Sequence, residues 1–216
     1  MSLSKKDSIL IMDRFFSTLI YRRKLLASQT RSSRLIRELL KESYKIRDYD
    51  HAGKIWSRKN YPLGYTSYGS LSQMYEMSTT FDQLRKLIDP HVHKVAKQLD
   101  WDLGKGELQM NSLWVNMNGS NSYHGLHLHP LSVISGTFYL AVPKDSGSIK
   151  FEDPRLSSFM ATPPPKSKAR PENQRNIEVR AKPGELILFE SWLRHEVTQN
   201  LSHEDRVSVS FNYEWC

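Results

Sequence analysis

The sequence is short of several things, and each shortage excludes a class of protein. Its 216 residues include a single cysteine, Cys216, so neither an internal disulfide nor a thiolate metal site can form. Any metal must be held by His, Asp or Glu. The longest apolar runs, residues 8–12 and 134–142, fall far short of the ~20 residues that a membrane helix needs. The opening MSLSKKDS lacks the apolar stretch of a signal peptide, and the chain is expected in the cytoplasm. Zinc-finger spacing, RNP-type aromatic runs and Gly-rich phosphate loops are missing too, which removes the usual nucleic-acid and nucleotide signatures.

What is present describes a chain that folds. Hydrophobic residues at 38% and aromatics at 11% are too many for intrinsic disorder, and the length suits one domain with a real core. The net charge of +8 is unevenly spread: residues 1–60 carry 15 Lys and Arg against 6 Asp and Glu, and the remainder carries 16 against 17. Such an excess reads first as the solvated face of helices and second as a surface for an acidic partner. Residues 1–60 are therefore taken as a basic helical region of the same domain, and 61–216 as the core.

Periodicity divides the chain into a helical first half and a β second half. Residues 31–48 place Leu35, Ile36, Leu39, Leu40 and Tyr44 on one helical face, with Ser32 or Ser33 as N-cap. Residues 61–72 read as irregular. Thr79 or Thr80 then caps a helix with Phe81, Leu84, Leu87, Ile88, Val92, Val95 and Leu99 on one stripe, which Pro90 should kink or split. Seven β segments follow, at 108–117, 132–142, 148–152, 177–181, 185–190, 195–199 and 206–214, separated by Gly, Pro, Asn or Ser turns. Such spacing without intervening helices predicts an α+β fold built on an antiparallel jelly-roll barrel with helices outside. Strand 206–214 and the residue after it alternate strictly: Val207, Val209, Phe211, Tyr213 and Trp215 point one way, and Arg206, Ser208, Ser210, Asn212 and Glu214 the other. The apolar face should meet the helices. The polar face, with Ser112 and Asn116 of strand 108–117, should line a barrel mouth that holds a polar ligand.

Histidines carry the chemistry. His127 and His129 flank Leu128, and on a strand residues i and i+2 share a face, so both imidazoles could meet one ion while Leu128 packs behind them. His195 lies where strand 185–190 gives way to the next, and can supply a third ligand. Three protein ligands on one face of an octahedral ion leave positions for substrate and dioxygen. Arg206 follows across a turn, and hairpin geometry brings its guanidinium beside the metal, where it can take a carboxylate in a bidentate fork with Ser208 nearby. The alternative for Arg206 is a surface ion pair with Glu204 or Asp205. His124, three residues from His127, should point off the metal-facing side, toward the substrate or the rim. The stretch 162–176, TPPPKSKARPENQRN, is a polar loop that should lie on the substrate side, with Lys166, Lys168, Arg170 and Arg175 facing an acidic or polar substrate.

The runs HGLHLHPLSVISGTFYLAVPKDSGSIKFEDPR, KPGELILFESWLRHEVTQN and RVSVSFNYEW, with GYTSYGSL and LWVNM upstream, resemble the 2-oxoglutarate- and Fe(II)-dependent oxygenases of the prolyl-hydroxylase-like kind, and more closely a bacterial group with an HxHPxSxxSGxxYL signature. The resemblance implies a double-stranded β-helix, cupin-like, with Fe(II) and 2-oxoglutarate as cosubstrate, and hydroxylation coupled to splitting of 2-oxoglutarate into succinate and CO2. It implies that His127 and His195 bind iron. It further implies that Arg206 pairs the distal carboxylate of the cosubstrate, that Ser208 adds a hydroxyl and that Tyr139 donates to the same carboxylate; Asn116 joins this set from the polar face. Where most of the family has Asp or Glu this chain has His129, leaving the iron one negative charge poorer. Asp153 or Glu152 is a less favoured source of a carboxylate. Two alternatives stay open: a three-histidine cupin-type dioxygenase that does not use 2-oxoglutarate, and a non-catalytic metal-binding module. The substrate, a small molecule or a protein side chain, is not specified. Neither membrane nor nucleic acid is expected as a partner, and a homodimer is admissible.

Overall fold

The computed structural model describes residues 12–13, 15–25 and 31–216. A short strand β1 (Ile20–Lys24) precedes two helices, α1 (Arg31–Tyr49) and α2 (His51–Asn60). Strand β2 (Gly64–Thr66), the single turn α3 (Met74–Met77) and the long α4 (Thr79–Gln98) follow. The rest is β: β3 (Leu108–Asn118), β4 (His124–His127), β5 (Ile134–Ala141), β6 (Ile149–Glu152), β7 (Asn176–Val179), β8 (Glu185–Glu190), β9 (His195–Val197) and β10 (Arg206–Trp215). These strands make a six-stranded sheet in the order β1-β8-β5-β10-β3-β2 and a four-stranded sheet in the order β4-β9-β6-β7. Pairing between the named strands is antiparallel.

The period-2 pattern decides which way each strand faces. On β8, Leu186 and Leu188 join the core that holds the helices, while Ile187 and Phe189 join a second cluster with Ile149 and Phe151 of the smaller sheet. On β5, Phe138 and Leu140 take the helix side and Tyr139 the other. On β10, Val207, Val209, Phe211 and Tyr213 meet Leu39 of α1 and Phe81, Leu84, Ile88, Val92 and Val95 of α4 in one buried cluster. The helices thus cover the outer face of the larger sheet, and the alternate residues of β10, β5 and β3 look between the sheets.

Local expectations fail where tertiary context overrides them. α4 runs unbroken through Pro90, because the carbonyl that loses its N–H belongs to Lys86, which like Pro90 is exposed and open to water. Its cap is Ser78 rather than Thr79 or Thr80: the Ser78 hydroxyl accepts from the backbone N–H of Thr80 and of Phe81, at 3.2 and 3.3 Å. Leu87 is exposed, off the stripe set by Leu84 and Ile88. Ser32 and Ser33 sit inside α1 rather than before it, and their side chains lie outside the described residues.

The sequence pattern also lacks a signal for α2. Its cap is Asp50, whose Oδ1 accepts from the Gly53 N–H at 2.8 Å. The same carboxylate's Oδ2 accepts from the Tyr65 hydroxyl at 2.8 Å and from the Ser70 hydroxyl at 2.5 Å. Residues 61–72, irregular by composition, are thereby tied to the start of α2 and pair through β2 with β3.

Gly136 of β5 shows how tightly the larger sheet is packed. A Cβ there would lie 2.5 Å from Phe211 Cζ, 2.6 Å from Leu188 Cδ2 and 2.7 Å from the Ile187 carbonyl oxygen. Gly136→Ala should therefore cost ~1–3 kcal/mol, read as a lower urea midpoint at unchanged slope; an unchanged midpoint would show that the sheet opens without strain.

A three-histidine candidate metal centre

His195 opens β9 and stands opposite both His127 of β4 and Phe151 of β6. The ring centroids of His127 and His195 are 4.3 Å apart, those of His127 and His129 5.2 Å, and those of His129 and His195 5.1 Å. One nitrogen from each ring lies within 4.8 Å of the others. His129 arrives there by a route other than strand alternation, since β4 ends at His127. Its backbone N–H is held by the Ser191 carbonyl at 3.0 Å, and Leu128 does not pack behind the pair but is exposed.

Each imidazole is oriented through its Nδ1. His127 Nδ1 meets the Gly125 carbonyl oxygen at 2.7 Å, and His195 Nδ1 meets that of Leu193 at 2.9 Å. His129 Nδ1 lies 2.7 Å from Asn212 Oδ1 and 2.8 Å from Ser135 Oγ. Carbonyl and amide oxygens only accept, so in the neutral ring the proton belongs on Nδ1 and the Nε2 lone pair is left for an ion. Ser135 in turn donates to Asn212 Oδ1 at 2.8 Å and lies 2.7 Å from Ser191 Oγ.

Burial keeps these bases neutral. His129 is held down to about 4 and His195 to about 2, first by desolvation and then by the neighbouring imidazoles; His127 is lowered too, chiefly by desolvation. His124 is pushed down to about 3, again by burial first. It does not point away from the others: the pairing of β4 with β9 slips between His124 and His127, and the two rings stack at 4.2 Å. Asp153 and Glu152 stay outside the cluster, paired with Arg155 and Arg194.

The wall beside the histidines follows from strand register. Ser208 of β10 stands opposite Asn116 of β3 and Tyr139 of β5. Arg206, Ser208, Tyr139 and Asn116 line one cavity with His127, His129 and His195. Arg206 is only 2% exposed, lies 5.0 Å over the Tyr139 ring and donates to Asn118 Oδ1 at 3.2 Å. Among the described residues no carboxylate pairs with it. Asp205, one of its expected surface partners, pairs with Arg47 at 3.3 Å instead. Tyr139 Oη and Asn116 Oδ1 are sealed from solvent without a hydrogen-bond partner, and burial raises the pKa of the Tyr139 phenol against the pull of the Arg206 charge. A buried guanidinium with a stranded phenol beside it fits a ligand carboxylate.

Loop 162–176 lines neither cavity that reaches the histidines. Its residues line clefts with Asp153, Arg155 and Phe159 on the far edge of the smaller sheet, and Arg175 stacks on Phe159 at 4.9 Å. The loop joins β6 to β7, which is the end of that sheet opposite β4. Lys166, Lys168, Arg170 and Arg175 therefore line neither of the cavities that reach the histidines. The approach is made instead by Trp56, Tyr61, Tyr68 and Trp114, of which only Trp114 lies in a segment with a periodic pattern.

Residues 112–212 match the family described as "Putative 2OG-Fe(II) oxygenase", a stretch that contains every candidate metal and cosubstrate residue named above. The match covers 101 of the 216 residues, just under half of the chain, and likens that stretch to 2-oxoglutarate- and Fe(II)-dependent oxygenases. The chain's two antiparallel sheets are similar to the double-stranded β-helix of these oxygenases. It is similar to the non-haem alpha-ketoglutarate-dependent epimerase SnoN of nogalamycin biosynthesis, with a TM-score of 0.61 at 16% identity over 91% of this chain and 76% of that one. It is similar to HygX from Streptomyces hygroscopicus, crystallised with nickel and 2-oxoglutarate, with a TM-score of 0.58 at 14% identity over 91% and 83%. A Pseudomonas putida prolyl-4-hydroxylase gives 0.57 at 14% identity over 92% and 89%. At these identities the likeness is one of fold. No curated protein matches the chain in sequence.

Two outcomes test the centre. Asn212→Leu, which removes the acceptor on His129, should weaken Co(II) binding by about 10- to 100-fold, read by calorimetry; undiminished affinity would mean that His129 is not a ligand. In the metal-free protein the folded-state histidine values lie below the ordinary 6.5, so the unfolded chain takes up protons first. Stability should fall as the pH drops from 6.5 toward the value of about 4 held by His129, visible as a declining Tm.

Proposed function

We propose that His127, His129 and His195 hold Fe(II) and that Arg206 binds the distal carboxylate of 2-oxoglutarate, with Tyr139 donating to the same carboxylate and Ser208 and Asn116 completing the polar wall. The observation that carries this reading is the buried Arg206 guanidinium, which no protein carboxylate neutralises among the described residues. Leaving such a charge unpaired is costly, and a dicarboxylate cosubstrate relieves it. The sealed Tyr139 hydroxyl, without a partner of its own, has its proton free for that carboxylate.

When bound, iron and 2-oxoglutarate supply the oxidising power: one oxygen atom of O2 goes to the substrate C–H bond and the other to succinate as CO2 leaves. The protein's part is to bind, orient and exclude water. Nδ1 hydrogen bonds fix the three imidazoles before the ion arrives, so little reorganisation is needed at loading. Three neutral donors leave Fe(II) its full double charge, which the two negative charges of 2-oxoglutarate offset. With the Arg206 guanidinium counted, the assembly carries one positive charge, where the usual carboxylate ligand would make it neutral. The three imidazoles also favour a second reading, a cupin-type dioxygenase that binds its organic substrate without 2-oxoglutarate, but that reading gives Arg206 and Tyr139 no work.

The same proposal places the enzyme in the cytoplasm, a reading supported by its single cysteine; no described helix is long and apolar enough to cross a membrane. It takes the helices of residues 1–60 as part of one domain with the barrel, supported by Leu35 and Leu39 in the shared core. Neither a nucleic acid nor a second copy of the chain is required by the site.

Arg206→Met removes a charge-assisted bond worth ~1.5–3 kcal/mol, so 2-oxoglutarate should bind about 10- to 100-fold more weakly while Co(II) affinity stays at the parent value. Equal 2-oxoglutarate affinity in the variant would favour the cupin-type reading.

A further inference from the structure

Next to the polar cavity lies a second, outer cavity of about 180 Å3 that opens to solvent and reaches the same histidines. The two share Tyr61, Trp114, His124, His127 and His129 and otherwise differ in chemistry. Arg206, Ser208 and Asn116 line only the inner one. The outer one adds Trp56, Tyr68, Leu128 and Pro130, with Asn60, Thr66 and Asn212 as its neutral polar groups. No Asp, Glu, Lys or Arg lines it among the described residues, although the chain carries a net charge of +8.

The rings form a continuous path from the surface inward. Tyr68 meets Trp114 edge-on at 4.9 Å, and Trp114 meets His129 edge-on at 6.0 Å. Tyr61 meets His124 edge-on at 4.9 Å. At the outer end Trp56, Tyr68 and Leu128 are 38%, 51% and 40% exposed, although packing alone would bury side chains of this size. The Trp56 ring lies against the backbone of Gly69, where an added Cβ would come within 2.9 Å of it. Its position is therefore set by the loop and not by solvent.

We infer that the group presented to the histidine centre is an uncharged, apolar ring or branched aliphatic group, seated between Trp56, Tyr68 and Trp114. This rests on the oxygenase reading for the role of substrate, but not for the binding chemistry. Anions are disfavoured because no Lys or Arg lines the outer cavity among the described residues and Arg206 belongs to the inner one, so a phosphate or carboxylate between Trp56 and Tyr68 would lose water without gaining a protein cation. Cations find ring faces but no carboxylate to accompany them. The basic residues of loop 162–176 line neither cavity and so offer no charge within them to an acidic substrate.

The test uses three probes of one shape, cyclohexanol, cyclohexanecarboxylate and cyclohexylammonium, titrated into the Zn(II)-loaded protein with 2-oxoglutarate present. Binding is followed by tryptophan emission, since Trp56 and Trp114 line the cavity, and by saturation-transfer NMR. Cyclohexanol should bind at least about tenfold more tightly than either ion. Trp56→Ala and Tyr68→Ala should each weaken cyclohexanol several-fold while 2-oxoglutarate affinity holds, which also shows that the variants are folded. N-acetyl-cyclohexylalanine methylamide separates the two sources of such a group: tighter binding than cyclohexanol assigns it to a polypeptide side chain, and weaker binding assigns it to a small molecule. Equal or tighter binding of the carboxylate or the ammonium probe, or cyclohexanol affinity unmoved by both variants, overturns the inference. Loss of 2-oxoglutarate binding in the parent protein would instead count against the oxygenase reading, and is read in a separate titration.

Discussion

A single strand separates two environments that cannot mix. β10 presents Val207, Val209, Phe211 and Tyr213 to the helices and Arg206, Ser208, Ser210 and Asn212 to the space between the sheets, and all eight are buried. A slip of one residue against β3 or β5 would drive a guanidinium into the helical core and valines into the polar cavity. Such a slip costs far more than any local preference can repay, so the register of the central strands is fixed by the need to keep the two faces apart. The metal-side chemistry inherits that precision. Asn212 opposes Ser135 on β5 and Ser208 opposes Tyr139, so the acceptor for His129 and the wall of the inner cavity are set by the same ladder of hydrogen bonds.

This also explains what the sequence could and could not reveal. Period-2 alternation is a local property, and the strands it predicts at residues 185–190 and 206–214 match β8 and β10 within a residue. The polar face of β10 was legible for the same reason. His129 was legible as a residue type but not as a geometry: it lies beyond the end of β4 and is brought in by the Ser191 carbonyl, a contact 62 positions away in sequence. His124 lines the outer cavity, on the substrate side that spacing assigned to it, but its ring stacks on His127 where the register slips. Ser135, Ser191 and Asn212 are ordinary small polar residues until the fold makes them touch.

The polar loop shows the complementary failure. Composition correctly kept residues 162–176 out of the core, but composition carries no direction. Which end of the smaller sheet the loop occupies depends on strand order, and β7 lies at the edge opposite β4. Conversely, Trp56, Tyr61 and Tyr68 come from segments with no β periodicity, yet they form the entrance, because β2 pairs with β3 and draws residues 61–72 over the histidines.

Asp50 caps α2 and, through Tyr65 and Ser70, also anchors the segment that carries Tyr61 and Tyr68. The rings at the entrance are thus supported from behind, by a carboxylate that takes no part in their exposed faces. The path of the chain is held by buried hydrogen bonds, while Trp56 and Tyr68 keep part of their surface in solvent. For a designer seeking new chemistry at the histidine cluster, Asp50 is therefore a residue to leave alone.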